Sequence, residues 1–242
     1  MHRASICAIV RNEGKYIREW IAYHSAIGFD HFYIYNNQSE DDTCDALSAA
    51  SRAGVCTVVD WPNPAGGRPQ IPAYRNALKT FGKETEWILC MDADELLNLK
   101  RHRSIGAFLD DYPDADAIGI NWRMFGSGGS ENYAPGLMME RFQLAAPVNF
   151  GPHGQTKTIA RCRSMKDVGI HSYELQEGSV FVNPEHVPLK PHPVARQDHI
   201  TLRTEQINHY FTKTWEEWQI KRAKGKADSP PDHPDFYRND GE

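Results

Sequence analysis

The chain has 242 residues, 40% of them hydrophobic and 24% charged, which suits one large domain with a full core and excludes a disordered polar tract. A net charge of -5 excludes the basic footprint that a phosphate-backbone partner requires, so no nucleic-acid role is expected. The five cysteines, far apart and without Cys-x-x-Cys spacing, exclude a zinc or redox motif and read as small buried apolar groups of a reducing compartment. The apolar run over residues 6–10 is too short for a signal-peptide core, and no segment reaches the roughly 20 apolar residues of a membrane helix, so a cytoplasmic chain is expected.

Residues 5–10 form a continuous apolar run, the pattern of a strand buried on both faces; Ile17, Trp20, Ile21, His24 and Ile27 then recur at helical spacing until Gly28. The unit repeats with a strand over 31–36, an acidic loop, a helix over 42–53 closed by Gly54, and a strand over 55–61. After a proline and glycine loop at 62–69, Pro72 suits an early helical position before Ala73, Ala77, Leu78 and Phe81, and residues 87–91 supply a fourth strand. Strand and helix in alternation predict an α/β fold with a mainly parallel sheet flanked by helices, and ligands at the carboxyl ends of its strands.

Further on, Ser104 caps a short helix that Pro113 ends, residues 117–125 form a strand opening into Gly126-Ser127-Gly128-Gly129, and shorter strands follow at 156–162 and 179–182. A helix returns at 214–224, acidic early and basic late as the macrodipole favours. The expected organisation is one domain over 1–228, with a nucleotide-binding half (1–125), an acceptor-side half (126–228) and an extended tail at 229–242.

The polar clusters of the first half all fall at predicted strand ends: Arg11, Asn12 and Glu13 after the first, 36–41 after the second, Asp92 and Asp94 after the fourth. Two aspartates one residue apart at the tip of a central strand suit a hard divalent cation, magnesium or manganese, that carries a diphosphate; alternatively they cap the next turn and face water. Arg75 is placed to contact a nucleotide or phosphate, and Asn37 offers an amide to a base edge; singly, each also reads as a surface ion pair or a turn amide. Lys213, Lys221, Arg222 and Lys224 make a basic cluster that would hold phosphate or form a solvated helix face.

The stretch SICAIVRNEGKYIREWIAYHSAIGFDHFYIYNNQSEDDT, followed by IPAYRNAL, WILCMDADEL, WRMFGSGG and INHYFTKTWEEWQIKRAKG, resembles the GT-A glycosyltransferases, in the branch near families 2 and 92. The likeness runs over residues 5–228. It implies a GT-A, Rossmann-like sheet and a metal-dependent transfer of a sugar from a nucleoside diphosphate donor to a hydroxyl acceptor on a glycan, a lipid-linked carrier or a small molecule. Arg11, Asn12, Glu13, Asn37, Arg75, Asp92 and Asp94 then surround the donor, and Asp92, Asp94 and His209 hold Mn2+ or Mg2+, with His171 as a competitor of His209. Asn37 stands where such enzymes carry an acidic residue on the nucleobase, a departure that leaves the base open. Glu140 and Glu131 are the carboxylates considered for the acceptor's proton, though each, taken singly, reads first as a surface charge or a partner for Arg141. Peripheral contact with a membrane carrying the acceptor belongs to the same expectation. Two rivals use similar residues: a nucleotidyltransferase or phosphohydrolase, and a non-catalytic carbohydrate- or nucleotide-binding protein of the same fold.

Overall fold

The computed structural model describes residues 1–63, 67–190 and 200–224. Its first half alternates as the apolar pattern requires: β1 (His2–Val10), α1 (Ile17–Ala26), β2 (His31–Asn36), α2 (Thr43–Arg52), β3 (Cys56–Asp60), α3 (Gln70–Phe81) and β4 (Thr85–Cys90). Gly28 and Gly54 follow the first two helices at φ of 98° and 72°, a backbone conformation that a side chain disfavours. α3 begins two residues ahead of Pro72, at Gln70, which brings a site residue into the helix.

These four strands lie parallel in the order β3-β2-β1-β4. The chain steps outward twice and then crosses back to lay β4 on the other side of β1, so the strand order reverses between β1 and β4. In a doubly wound sheet that reversal opens a crevice at the carboxyl ends of the two strands. Both faces are covered. Ile6, Ala8 and Val10 join Ile17, Trp20 and Leu47 on one face, whereas Cys7 packs with Tyr35, Tyr74 and Ala77 on the other. Burial on two sides explains why β1 reads as a continuous apolar run.

The second half contains β5 (Glu95–Asn98), α4 (Ile105–Asp110), β6 (Ala117–Met124), α5 (Met138–Arg141), β7 (Thr156–Arg161), β8 (Met165–Val168), β9 (Tyr173–Leu175), β10 (Phe181–Val182), β11 (Gln206–His209) and α6 (Trp215–Lys224). Ser104 caps α4, its hydroxyl accepting from the Ala107 amide at 3.2 Å. The sheet continues β4-β7-β6-β11-β5, with β7 antiparallel to both neighbours, β11 parallel to β6, and β5 antiparallel to β11 at the edge. The parallel expectation therefore holds for the first half, and the second half makes the sheet mixed. β8 and β9 form a separate antiparallel hairpin.

All five cysteines are free, and four are buried as expected; Cys44, in α2, is exposed. Among the described residues no helix is long and apolar enough to cross a membrane. The tail expected at 229–242 lies outside the described residues.

Candidate active site

β4 ends at Cys90, and the chain reverses through Asp92-Ala93-Asp94 into β5, the Glu95 amide donating to the Asp92 carbonyl at 3.1 Å. A buried indole fixes this turn. Trp20 Nε1 of α1 donates to the carbonyls of Asp92, at 3.1 Å, and Glu95, at 2.9 Å. The Glu95 carboxyl closes the loop by accepting from the Asp92 amide at 2.8 Å.

Each aspartate has its own cation. Asp92 accepts from Gln70 Nε2 on Oδ1 and from Lys157 Nζ on Oδ2, both at 3.0 Å. Lys157 points inward from β7, fully buried, and its ammonium also stands 3.4 Å from Glu95 Oε2. Asp94 Oδ2 accepts from Lys221 Nζ of α6 at 2.6 Å, and Asp94 Oδ1 faces His209 Nε2 of β11 at 3.6 Å. β11 brings His209 there because its register sets His209 beside Glu95 on one side and Met124 on the other. Trp122 then packs against the His209 ring with centroids 4.4 Å apart.

Charge at this depth survives only because it is paired. Burial raises the Asp94 carboxyl, but the Lys221 ammonium and then His209 outweigh it and hold the group well below the usual carboxylate range. Asp92 is lowered in the same way, burial being opposed by Lys157. Glu95 goes the other way: burial pushes it up to about 8 against the pull of Lys157. Burial also lowers His209, which favours the neutral imidazole that ligates metals.

The loops after β1 and β2 are bound to each other at the mouth of the same crevice. Asn12 Oδ1 accepts from the Glu40 amide at 2.8 Å, the Asn12 amide donates to Ser39 Oγ at 3.1 Å, and the Glu13 amide donates to Thr43 Oγ1 at 2.8 Å. Asp41 receives the Gly14 amide at 2.9 Å, and a Cβ on Gly14 would stand 2.9 Å from the Thr43 nitrogen, so no side chain fits there. Arg11 lies in this loop with a buried Nε, and the charge of Glu13 is felt at Lys221. Asn37 is buried, with its two amide hydrogens given to the Trp61 carbonyl at 2.7 Å and to Asn63 Oδ1 at 3.0 Å. Its Oδ1 has no partner among the described residues. Although asparagine can donate, this one offers a ligand an acceptor, as a carboxylate would.

The remaining predicted residues stand apart from the cluster. Arg75 forms a two-point pair with Asp167 of β8, at 2.7 and 2.5 Å, on the surface. His171 accepts or donates at Nδ1 to the Thr156 carbonyl at 3.2 Å and packs on Trp122, with burial pushing it down to about 3; it touches neither aspartate. Glu131 and Glu140 are exposed, and no contact joins their side chains to the carboxylate turn. Instead the Glu131 carbonyl receives the Glu216 amide of α6 at 2.9 Å.

Sequence reasoning passed over Gln70, Glu95 and Lys157, and also a knot that holds α6 in place. Tyr16 Oη donates to Glu217 Oε1 at 2.5 Å, Arg141 Nη1 donates to Tyr16 Oη at 2.6 Å, and Glu217 Oε2 accepts from Thr214 Oγ1 at 2.9 Å. A lysine alone within the strand run TKTIAR was the available signal for Lys157. Thr214-x-x-Glu217, a capping box, was the signal for the knot.

A divalent cation fits part of this arrangement. Asp94 Oδ1 and His209 Nε2 are separated by 3.6 Å, within the roughly 4.2 Å that two ligands about 2.1 Å from one ion can span. A carboxylate oxygen and a neutral imidazole have the right chemistry for Mn2+ or Mg2+. Asp92 fits an orienting role better, because both of its oxygens are engaged. Among the described residues no three His, Cys, Asp or Glu side chains form a ready metal cluster, and Lys221 occupies the other oxygen of Asp94.

Comparison with known proteins gives the family. A glycosyltransferase family 92 protein of Ricinus communis is 33% identical over 252 residues, covering 95% of this chain and 42% of its own length. One from Oryza sativa subsp. japonica is 26% identical over 255 residues, covering 95% of this chain and 39% of its own length. The chain thus spans about two fifths of the curated relatives it matches. Among solved structures, S. aureus TarS 1-349 aligns with a TM-score of 0.44 at 22% identity, over 66% of this chain and 47% of that one. Glucosyl-3-phosphoglycerate synthase from Mycobacterium tuberculosis, in complex with Mn2+, uridine diphosphate and glucosyl-3-phosphoglycerate, aligns with a TM-score of 0.36 at 15% identity, over 68% and 58%. The family model described as glycosyltransferase family 92 matches residues 2–236, and the chain belongs to that family.

Proposed function

We propose that this domain transfers a sugar from a nucleoside diphosphate sugar to a hydroxyl acceptor, with the donor seated in the crevice between β1 and β4. The observation that carries the reading is the convergence of Asp92, Asp94, His209 and Lys221 where the strand order reverses, within a chain of family 92.

The base enters between the loops after β1 and β2. There the Asn37 carbonyl oxygen receives a ring N–H, which favours uracil or guanine over adenine or cytosine. The diphosphate lies toward the turn after β4, where Lys221 and the more distant Lys213 supply positive charge as the leaving group separates. A divalent cation bound at Asp94 and His209 would add Lewis-acid stabilisation of the same diphosphate oxygens. Asp92, held by Gln70 and Lys157, keeps the turn rigid and offers its partly exposed edge to the donor. Of the carboxylates weighed as base, Glu131 is tied by its backbone to α6 and Glu140 belongs to α5; either would need its loop to close over the donor before taking the acceptor's proton.

The test is slow hydrolysis of donor without acceptor. Incubation with a panel of nucleoside diphosphate sugars and Mn2+ should release the diphosphate from one of them, and Asp94→Asn should abolish the release. Equal hydrolysis by the variant, or none by either protein with any donor, would remove the basis of the reading.

A further inference from the structure

The two lysines of the cluster are not equivalent. Lys157 is fully buried and stands between Asp92 and Glu95, 3.0 and 3.4 Å away, with the Ile170 carbonyl also at 3.4 Å. Its ammonium has no route to a ligand. Lys221 comes from the solvent side, its side chain 26% exposed, and its ammonium rests on Asp94 Oδ2 at 2.6 Å, on the Phe211 carbonyl at 3.0 Å and over the Phe211 ring at 3.9 Å. Beneath it the Asp94 side chain is only 9% exposed. The carboxylate that the donor site needs is therefore covered by a cation the protein supplies.

We propose that Lys221 is an exchangeable counter-ion of the donor site: it neutralises Asp94 while the crevice is empty, then releases it and pairs with the donor's diphosphate. The proposal rests on the donor-site reading given above. Three features support the exchange. A divalent cation at Asp94 would stand against the Lys221 ammonium, and like charges at that range repel. A diphosphate arriving with that cation presents new acceptors to an ammonium on a flexible four-carbon stem. Finally, α6 need not move, because its anchors to Tyr16, Arg141 and the Thr214 cap act at its first turn through Glu217, one turn before Lys221.

One consequence separates this role from that of a simple surface lysine. Metal alone must bind beside a resident ammonium and binds weakly; metal and diphosphate together give the ammonium a new partner and bind cooperatively. The experiment is calorimetric titration of the full chain with Mn2+ alone, and with UDP, GDP, ADP, CDP and TDP at saturating Mn2+. Lys221→Met, which keeps the stem and removes the charge, should bind Mn2+ alone roughly 10- to 100-fold more tightly, the range of one charge-assisted hydrogen bond. It should bind the preferred nucleoside diphosphate roughly tenfold or more weakly. Lys221→Arg should keep the weak Mn2+ binding of the wild type, and if Lys221→Met fails to fold, Lys221→Gln is read in its place. Unchanged or weaker Mn2+ binding without the charge overturns the exchange while leaving the donor site intact. A wild type that binds no nucleoside diphosphate overturns the donor-site reading and the exchange with it.

Discussion

Lys157 and Asn37 are the side chains on which the account makes its sharpest demands at the scale of single residues. Removing Lys157 leaves the half-buried Asp92 carboxylate without its cation beside a Glu95 already pushed toward its neutral form, and losing a charge-assisted hydrogen bond of this kind costs about 1.5–3 kcal/mol. Lys157→Met should lose that much in urea denaturation, and Lys157→Met combined with Asp92→Asn should recover part of it, because the stranded carboxylate charge is gone. Loss below about 1 kcal/mol in the single variant would mean that the pair contributes no more than a solvated one. Asn37 makes a chemical demand. With its donors taken by Trp61 and Asn63, it resembles an aspartate, so Asn37→Asp should keep the wild-type preference among nucleoside diphosphates, whereas Asn37→Leu should flatten it. Competition binding across the panel reads both variants. Asp92 and Asp94 were legible in the sequence because their type and their place at a predicted strand end agree, whereas His209 entered only through the family resemblance. Lys157 was not legible, since a lysine in a strand normally faces water and its partner Asp92 lies 65 positions away. Arg75 illustrates the converse: its helix was read correctly, but Asp167, on a hairpin that no periodicity marks, takes the guanidinium.

Among the elements, α1 couples the core to the site. His24 is fully buried there; its Nδ1 donates to the Trp20 carbonyl at 2.8 Å, and its Nε2 accepts from the Leu97 amide of β5 at 3.2 Å, which requires the neutral ring. Burial pushes its pKa down to about 3, below the ordinary value of 6.5. Between these values the unfolded chain binds the proton and the folded one does not, so stability is full above 6.5 and falls as pH drops through that window. The loss is roughly 1.4 kcal/mol per pH unit at most. Urea midpoints at pH 7.5 and 5 should differ for the wild type and differ less for His24→Gln; an equal difference would assign the acid lability to other groups. The same indole that His24 supports, Trp20, pins the Asp92-to-Glu95 turn, so the acid-weakened element is the one beneath the carboxylates. β1 to β4 and the helices between them were legible from period alone, boundaries shifting by a few residues. β5 and β11, four residues each, were not, because four residues hold too little pattern to separate a strand from a turn. Their pairing is nonetheless what sets His209 beside Asp94.

For the molecule as a whole, strand order places the site. The reversal between β1 and β4 opens the crevice, antiparallel β7 inserts Lys157 behind it, and β11 and α6 close its far wall with His209 and Lys221. The residues that neutralise the charge at this sheet end come from elements far apart in sequence, β7, β11 and α6. The most direct test of the central claim is calorimetric titration of the nucleoside diphosphate panel onto the wild type and Asp94→Ala, with Mn2+ and again with chelator. The account predicts binding of one nucleotide, tightest with Mn2+ and lost in Asp94→Ala. Equal binding by Asp94→Ala, or no binding of any nucleotide by the wild type with Mn2+, would contradict it.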